Sequence, residues 1–241
     1  AATGVAFALL SLVVARDNPE SCGLLPDGDK SMTPTTRTSP LPERVGATLA
    51  EARRTPTFWV YSLSLATYSL AGTAVTFHVV DIFEAAGRAR AEAFAYFLPL
   101  ASVAVIVNLI ASGWSDRISL KPLLVAMLCA FCLGTIGLTH LSTQWGFWVT
   151  VCGFGVGSGL WATLSNLAYV RLFGRRHLGE VSAGGVSLSV FGSAIGPALF
   201  SAGKDLTGSY TEVALLCTLV FAILLWASLA LLPKEPVLPR S

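Results

Sequence analysis

His78 and Asp81 stand three residues apart, which puts them on one face of a helix. An imidazole that titrates near neutrality beside a carboxylate is the composition of a proton relay. The plainer reading is an interfacial histidine next to a loop acid. Asp116 and Arg117 lie within GWSDRISLKP (113–122), a charged island in apolar sequence. Tyr61, Tyr68, Ser64 and Ser69 recur near helical spacing and predict a polar stripe facing a cavity. Ser and Thr can also bond to their own helix backbone and mean nothing more. Asn108 is an amide within a long charge-free run, where it would either bind solute or bond across helices. In LWATLSN (160–166), Trp161 and Ser165 are four apart and Asn166 follows, the best candidate for a cavity-facing patch. Ser158, in GVGSGLW, is where a membrane-embedded hydrolase would keep its nucleophile, and that chemistry needs a partner base. His78 and His140 are the candidates, both near segment ends, and Val156 occupies the first position of a G-x-S-G arrangement. CAFC (129–132) has redox or metal spacing but no second ligand pair, so two small packing residues are expected. No metal site and no cofactor are expected, and no G-x-x-x-x-G-K-[ST] phosphate loop occurs.

The elements that carry these residues follow from where the charges are not. The chain is 54% hydrophobic and 12% charged, with a mean hydropathy of +0.67. A soluble domain carries roughly 25% charged residues. Asp, Glu, Lys and Arg are missing from 1–15, 55–80, 93–115, 122–170, 181–203 and 213–233. A helix needs about 20 apolar residues to cross the hydrocarbon core. The 49-residue gap suits two helices joined by THLSTQWG (139–146). The expected fold is an all-α membrane protein, a six-helix transmembrane bundle with spans near 57–80, 93–113, 122–140, 146–170, 181–203 and 212–232. Residues 1–15 read as the end of a further helix. The chain opens inside that apolar run without a charged leader, so a fragment or trimmed chain is expected.

Assigning alternate loops to opposite sides puts thirteen of the sixteen basic residues on one side. Positive charge is retained on the cytoplasmic face during insertion, so the 16–55 linker and the 234–241 tail are expected inside. The linker is rich in Pro, Asp, Ser and Thr. Its end, ERVGATLAEARR (43–54), reads equally as a surface helix with Val45, Leu49 and Ala52 on one face, or as solvated linker. Gly153/Gly157 and Gly155/Gly159 form overlapping GxxxG pairs expected to pack helices closely. Gly192 and Gly196 form another, and Pro197 breaks the helix ladder beside them, so a hinge is expected there.

Read together, these motifs resemble the C-terminal half of a major facilitator superfamily transporter, more narrowly the bacterial branch of oxalate/formate and monocarboxylate carriers. The resemblance rests on RDNPESCGLLPDG (16–28), RTPTFWVYSLSLATYSLAGTAVTFHVVDIFEAAG (54–87), GWSDR (113–117), RLFGRRHLGEV (171–181) and GPALFSAGKDLTGSY (196–210). It implies twelve helices in two six-helix bundles that rock about a shared substrate path. This chain would supply helices seven to twelve and the tail of six, in a bacterial inner membrane. Its implied partners are the bilayer, a small-molecule solute and an N-terminal six-helix half; no nucleic-acid partner is expected. By the same analogy Asp116 and Arg117 form a latch holding one alternating-access state. The sequence departs from the family pattern there, with Ser112 and Ser119 in positions the family gives to glycine. Related organic-anion carriers commonly hold a cation in helix eight or eleven, yet 93–115 and 181–203 contain no Lys or Arg. The expected function is part of a secondary active transporter for a small solute such as a monocarboxylate, driven by a gradient. The candidate path is Tyr61, Tyr68, His78, Asn108, Trp161, Ser165 and Asn166. A membrane-embedded hydrolase and a non-transporting receptor or assembly subunit are the competing readings.

Overall fold

The computed structural model of the chain describes residues 46–232. The expected helix end at 1–15, most of the linker and the 234–241 tail lie outside the described residues.

A single turn, α1 (Leu49–Ala52), opens the described region. The helices α2 (Pro56–Phe77), α3 (Val79–Ala85), α4 (Arg90–Ala95) and α5 (Phe97–Trp114) follow. A 3-10 turn at Ser115–Arg117 leads into α6 (Leu120–Thr139), α7 (Gln144–Phe173), α8 (Leu178–Thr207) and α9 (Tyr210–Leu231). Among the described residues the one strand-like feature is an isolated bridge between Gly46 and Gly174. Five helical segments are long and apolar enough to cross a membrane: α4–α5 taken together, α6, α7, α8 and α9. Helices α2 and α3 meet the same length and composition only as a pair bent by 68° at His78, a broken span or a re-entrant loop, so the described spans number five or six. The chain is an integral, multi-pass, all-α membrane protein.

The helices run past the charge-free gaps that mark them. Helix α8 continues from Glu180 back to Leu178 and forward through Lys204 to Thr207. Charges on its end turns reach the polar boundary, where they cost little. The predicted surface helix shrinks to one turn over Leu49–Ala52, closed by a capping box. Thr48 N–H and Oγ1–H donate to Glu51 Oε2 at 2.8 and 2.9 Å, and Glu51 N–H donates back to Thr48 Oγ1 at 3.3 Å.

Two tightly packed pairs organise the bundle: α6 with α7, and α2 with α8. Helix α9 lies against α6 and touches α2 and α8, while α5 flanks α7. The overlapping glycine pairs of α7 serve two different neighbours. Gly153 and Gly157 face α6, against Gly134 and the Phe131 ring. Gly155 and Gly159 face α5, against Val103 and the Ala104 carbonyl. Residues two apart on a helix are rotated by about 200°, so interleaved motifs serve two partners. Lipid supplies no hydrophobic drive between helices, and close backbone approach takes its place. Consecutive helices α7 and α8 touch only sparingly, and that divergence opens a groove between them.

The basic residues of one end close helix termini. Arg171 Nη1 donates to the Ser115 and Ile118 carbonyls at 2.8 and 3.2 Å, holding the α5–α6 turn. Lys121 Nζ donates to the Leu229 and Leu232 carbonyls at 3.1 and 2.6 Å, capping α9. At the other end Arg88 donates to the carbonyls of Leu141 and Thr143 and lies 4.9 Å over the Phe147 ring. Terminal carbonyls lack intrahelical partners, and a cation supplies one with favourable charge.

Candidate functional site

The groove has two lobes separated by the indole of Trp161. The larger, of about 430 Å³, is bounded by Leu65 and Ser69 of α2, Trp161, Ser165, Asn166 and Tyr169 of α7, and Val186, Ser189, Val190 and Ser193 of α8. The second, of about 330 Å³, continues along α2 past Tyr68, Gly72, Thr73 and Thr76. These volumes lie at the small-molecule end of binding cavities. Among the described lining residues of both lobes there is no Asp, Glu, Lys, Arg or His.

Each wall is fixed by its own packing. Tyr68 stacks on Phe131 with ring centroids 4.5 Å apart and meets Trp161 at 5.2 Å. Phe131 is fully buried and passes the contact on to Phe221 of α9 at 5.3 Å. The Trp161 Nε1–H donates to the Leu65 carbonyl at 3.2 Å, which locks the indole across the groove. Tyr169 and Ser62 share a buried hydrogen bond of 3.0 Å. Opposite them, Thr73 Oγ1 donates to Ser193 Oγ at 3.2 Å, and Ser193 donates to the Ser69 carbonyl at 3.3 Å. These bonds join α2 to α8 along the groove floor.

The structure separates the residues that the sequence grouped. Trp161, Ser165 and Asn166 line the larger lobe, and Tyr68 lines the second. Tyr61 is buried and borders a different cavity, of about 340 Å³, with Thr57, Lys121 and Leu232 at the basic end. Ser64 is also buried and donates to the Val60 carbonyl at 2.6 Å, away from the groove. The polar stripe of α2 is therefore divided among three surroundings. Asn108 ties α5 to α7, donating to the Gly159 carbonyl at 3.3 Å and to Thr163 Oγ1 at 3.1 Å. His78 occupies the α2–α3 bend, with Nε2 3.0 Å from the Pro197 carbonyl. Its Nδ1 is 3.4 Å from the Tyr210 hydroxyl and 3.8 Å from Asp81 Oδ2. Ser158 Oγ donates to its own Gly155 carbonyl at 3.1 Å, while His140 bonds Thr139 at 2.8 Å and lies 4.8 Å from the Trp145 ring. The structure therefore does not bring Ser158 to either histidine.

Asp116 and Arg117 sit in the 3-10 turn, with Arg117 exposed. Gly192 and Gly196 press against α2: a Cβ at Gly192 would lie 2.7 Å from the Ala66 carbonyl, and one at Gly196 would collide with the Leu70 carbonyl. Helix α8 runs unbroken through Pro197. Ser189 and Ser193 entered no sequence-based site. Their four-residue spacing on the charge-free part of α8 was the available signal, but serine is common in such helices and its direction shows only once α2 and α7 are placed.

Five or six apolar spans around a largely apolar groove with no charged residue in its described lining define a polytopic membrane protein with room for a small solute. The chain belongs to the Major Facilitator Superfamily, whose family model matches residues 1–197. Members of that superfamily are membrane transporters of small solutes. A comparison with curated proteins returned no match.

Proposed function

We propose that this chain is the C-terminal bundle of a secondary active carrier that moves its solute by alternating access. The carrying observation is the two-lobed groove between α2, α7 and α8, largely apolar with a few hydroxyl and amide groups, uncharged along its described lining, and of solute size. In this reading an N-terminal six-helix half covers the groove. Gly192, Gly196 and Pro197 let α8 flex against α2, and Asp116 with Arg117 latches one state. The basic end faces the cytoplasm of a bacterial inner membrane. A monocarboxylate, the solute class suggested by the resemblance, receives no countercharge from the groove lining described above. It would depend on charge supplied by the other half.

Alternating access gives a test that does not need the solute's name. A cysteine placed at Ser189 should react with a membrane-impermeant maleimide from either side of a vesicle. The proportions should change when a gradient of a transported solute is imposed. Reaction from one side only, under every gradient tried, would refute the proposal.

A further inference from the structure

Resting on the reading of the groove as the solute path, we infer that its larger lobe is built to receive hydrogen-bond donors: it accommodates an uncharged amide or hydroxyl group, or an ammonium, and rejects a carboxylate. The inference comes from where the protons of the lining side chains go. Ser69 Oγ donates to the Leu65 carbonyl at 3.1 Å. Ser165 Oγ donates to the Ala162 carbonyl at 3.1 Å, and Asn166 Nδ2 to the same oxygen at 2.8 Å. Ser193 Oγ donates to the Ser69 carbonyl at 3.3 Å, and Trp161 Nε1 to the Leu65 carbonyl at 3.2 Å. A helix hydroxyl in an apolar surround satisfies its proton on its own backbone. The lone pairs of the Ser69 and Ser165 hydroxyls, the one Ser193 lone pair not taken by the Thr73 hydroxyl, and the Asn166 Oδ1 are what remain for a ligand.

An ionised carboxylate only accepts hydrogen bonds. In this lobe it would meet mostly acceptors and no positive charge among the described lining residues. Burying it there without donors is costly. The Ser189 hydroxyl and the second Nδ2 hydrogen of Asn166 face the lobe as uncharged donors, and the Tyr169 hydroxyl joins them when Ser62 is the donor of their shared bond; these are outnumbered by the acceptors and do not reverse the balance. A ligand carrying N–H or O–H groups meets the opposite situation. Each of its donors finds a lone pair already oriented by the helix. The Trp161 and Tyr169 rings supply apolar walls for the rest of the molecule.

The test is equilibrium binding to the full chain in lipid nanodiscs, so that a failure of transport does not decide it. Three matched probes differ only in the polar group: phenylacetamide, phenethylamine and phenylacetate. The amide or the ammonium should bind at least tenfold more tightly than phenylacetate. Equal binding of the first two assigns recognition to donors alone, and a preference for phenethylamine adds a role for positive charge. Asn166→Leu and Ser165→Ala remove acceptors, and each should weaken the preferred probe by about five- to tenfold without affecting phenylacetate. Phenylacetate binding as tightly as the others overturns the inference. So does an absence of discrimination among the three, or a loss in these variants that is the same for all probes.

Discussion

At the scale of single residues, the structure sorts polar side chains by where their hydrogen bonds end. Asn108 has the residue type of a ligand-binding amide, yet both its donated bonds cross to α7. Asn108→Leu should therefore loosen the α5–α7 contact by roughly 1 kcal/mol, the usual size of an interhelical polar tie in a membrane. Unfolding in mixed micelles would show it as a lower midpoint, with solute binding retained; loss of binding at unchanged stability would place Asn108 in the path instead. Trp161, Ser165 and Asn166 were legible as a group because a four-residue spacing on one helix survives folding. Tyr61 was misgrouped with Tyr68 for a related reason. The two are seven apart and share a face, but two turns along the helix the neighbours change from Lys121 and Leu232 to Phe131 and Trp161.

At the scale of elements, the α6–α7 seam is the least forgiving. Gly153→Val would drive a side chain into the Gly134 backbone. Overpacking of this kind costs about 1–3 kcal/mol or more where backbone cannot yield. The variant should give a lower yield of folded protein by size-exclusion in detergent, whereas Gly113→Ala, with nothing within 4 Å of its Cβ position, should not. The α1 turn makes a pH-dependent prediction. Hydrogen bonds from the Thr48 backbone and hydroxyl hold the Glu51 carboxyl below its ordinary 4.5. A lowered carboxyl pKa stabilises the folded form above the unfolded value, and that contribution is lost as pH falls through the folded one. Hydrogen exchange at the Thr48 amide should be slowed at pH 7 relative to the same amide in Glu51→Ala, which lacks the accepting carboxylate, and this protection should disappear well below pH 4.5. Protection that persists in acid would mean the turn is held by Ala52 and Leu49 packing alone.

At the scale of the whole molecule, sidedness is the expectation that tests the fold as an arrangement in a membrane. A cysteine at Ser142, in the α6–α7 loop, should react with an impermeant maleimide added outside intact cells. One at Arg175, in the α7–α8 turn, should react only after lysis. The reverse pattern would invert the molecule and with it the cytoplasmic assignment of the basic end. The amino-acid sequence by itself determined that the chain is a helical membrane protein, where its long apolar segments lie, and how its charges cluster between them. Each is a property of one segment against lipid or water, since a polar group unpaired in hydrocarbon costs several kcal/mol wherever the neighbouring helices lie. Only the tertiary structure decided that α7 packs on α6 and α5 through alternate glycines, that α2 and α8 close one wall, and that α8 diverges from α7 to leave a groove. Those outcomes depend on which small residues meet across helices distant in sequence. A pattern read along one helix gives the direction of a side chain but not what stands opposite it.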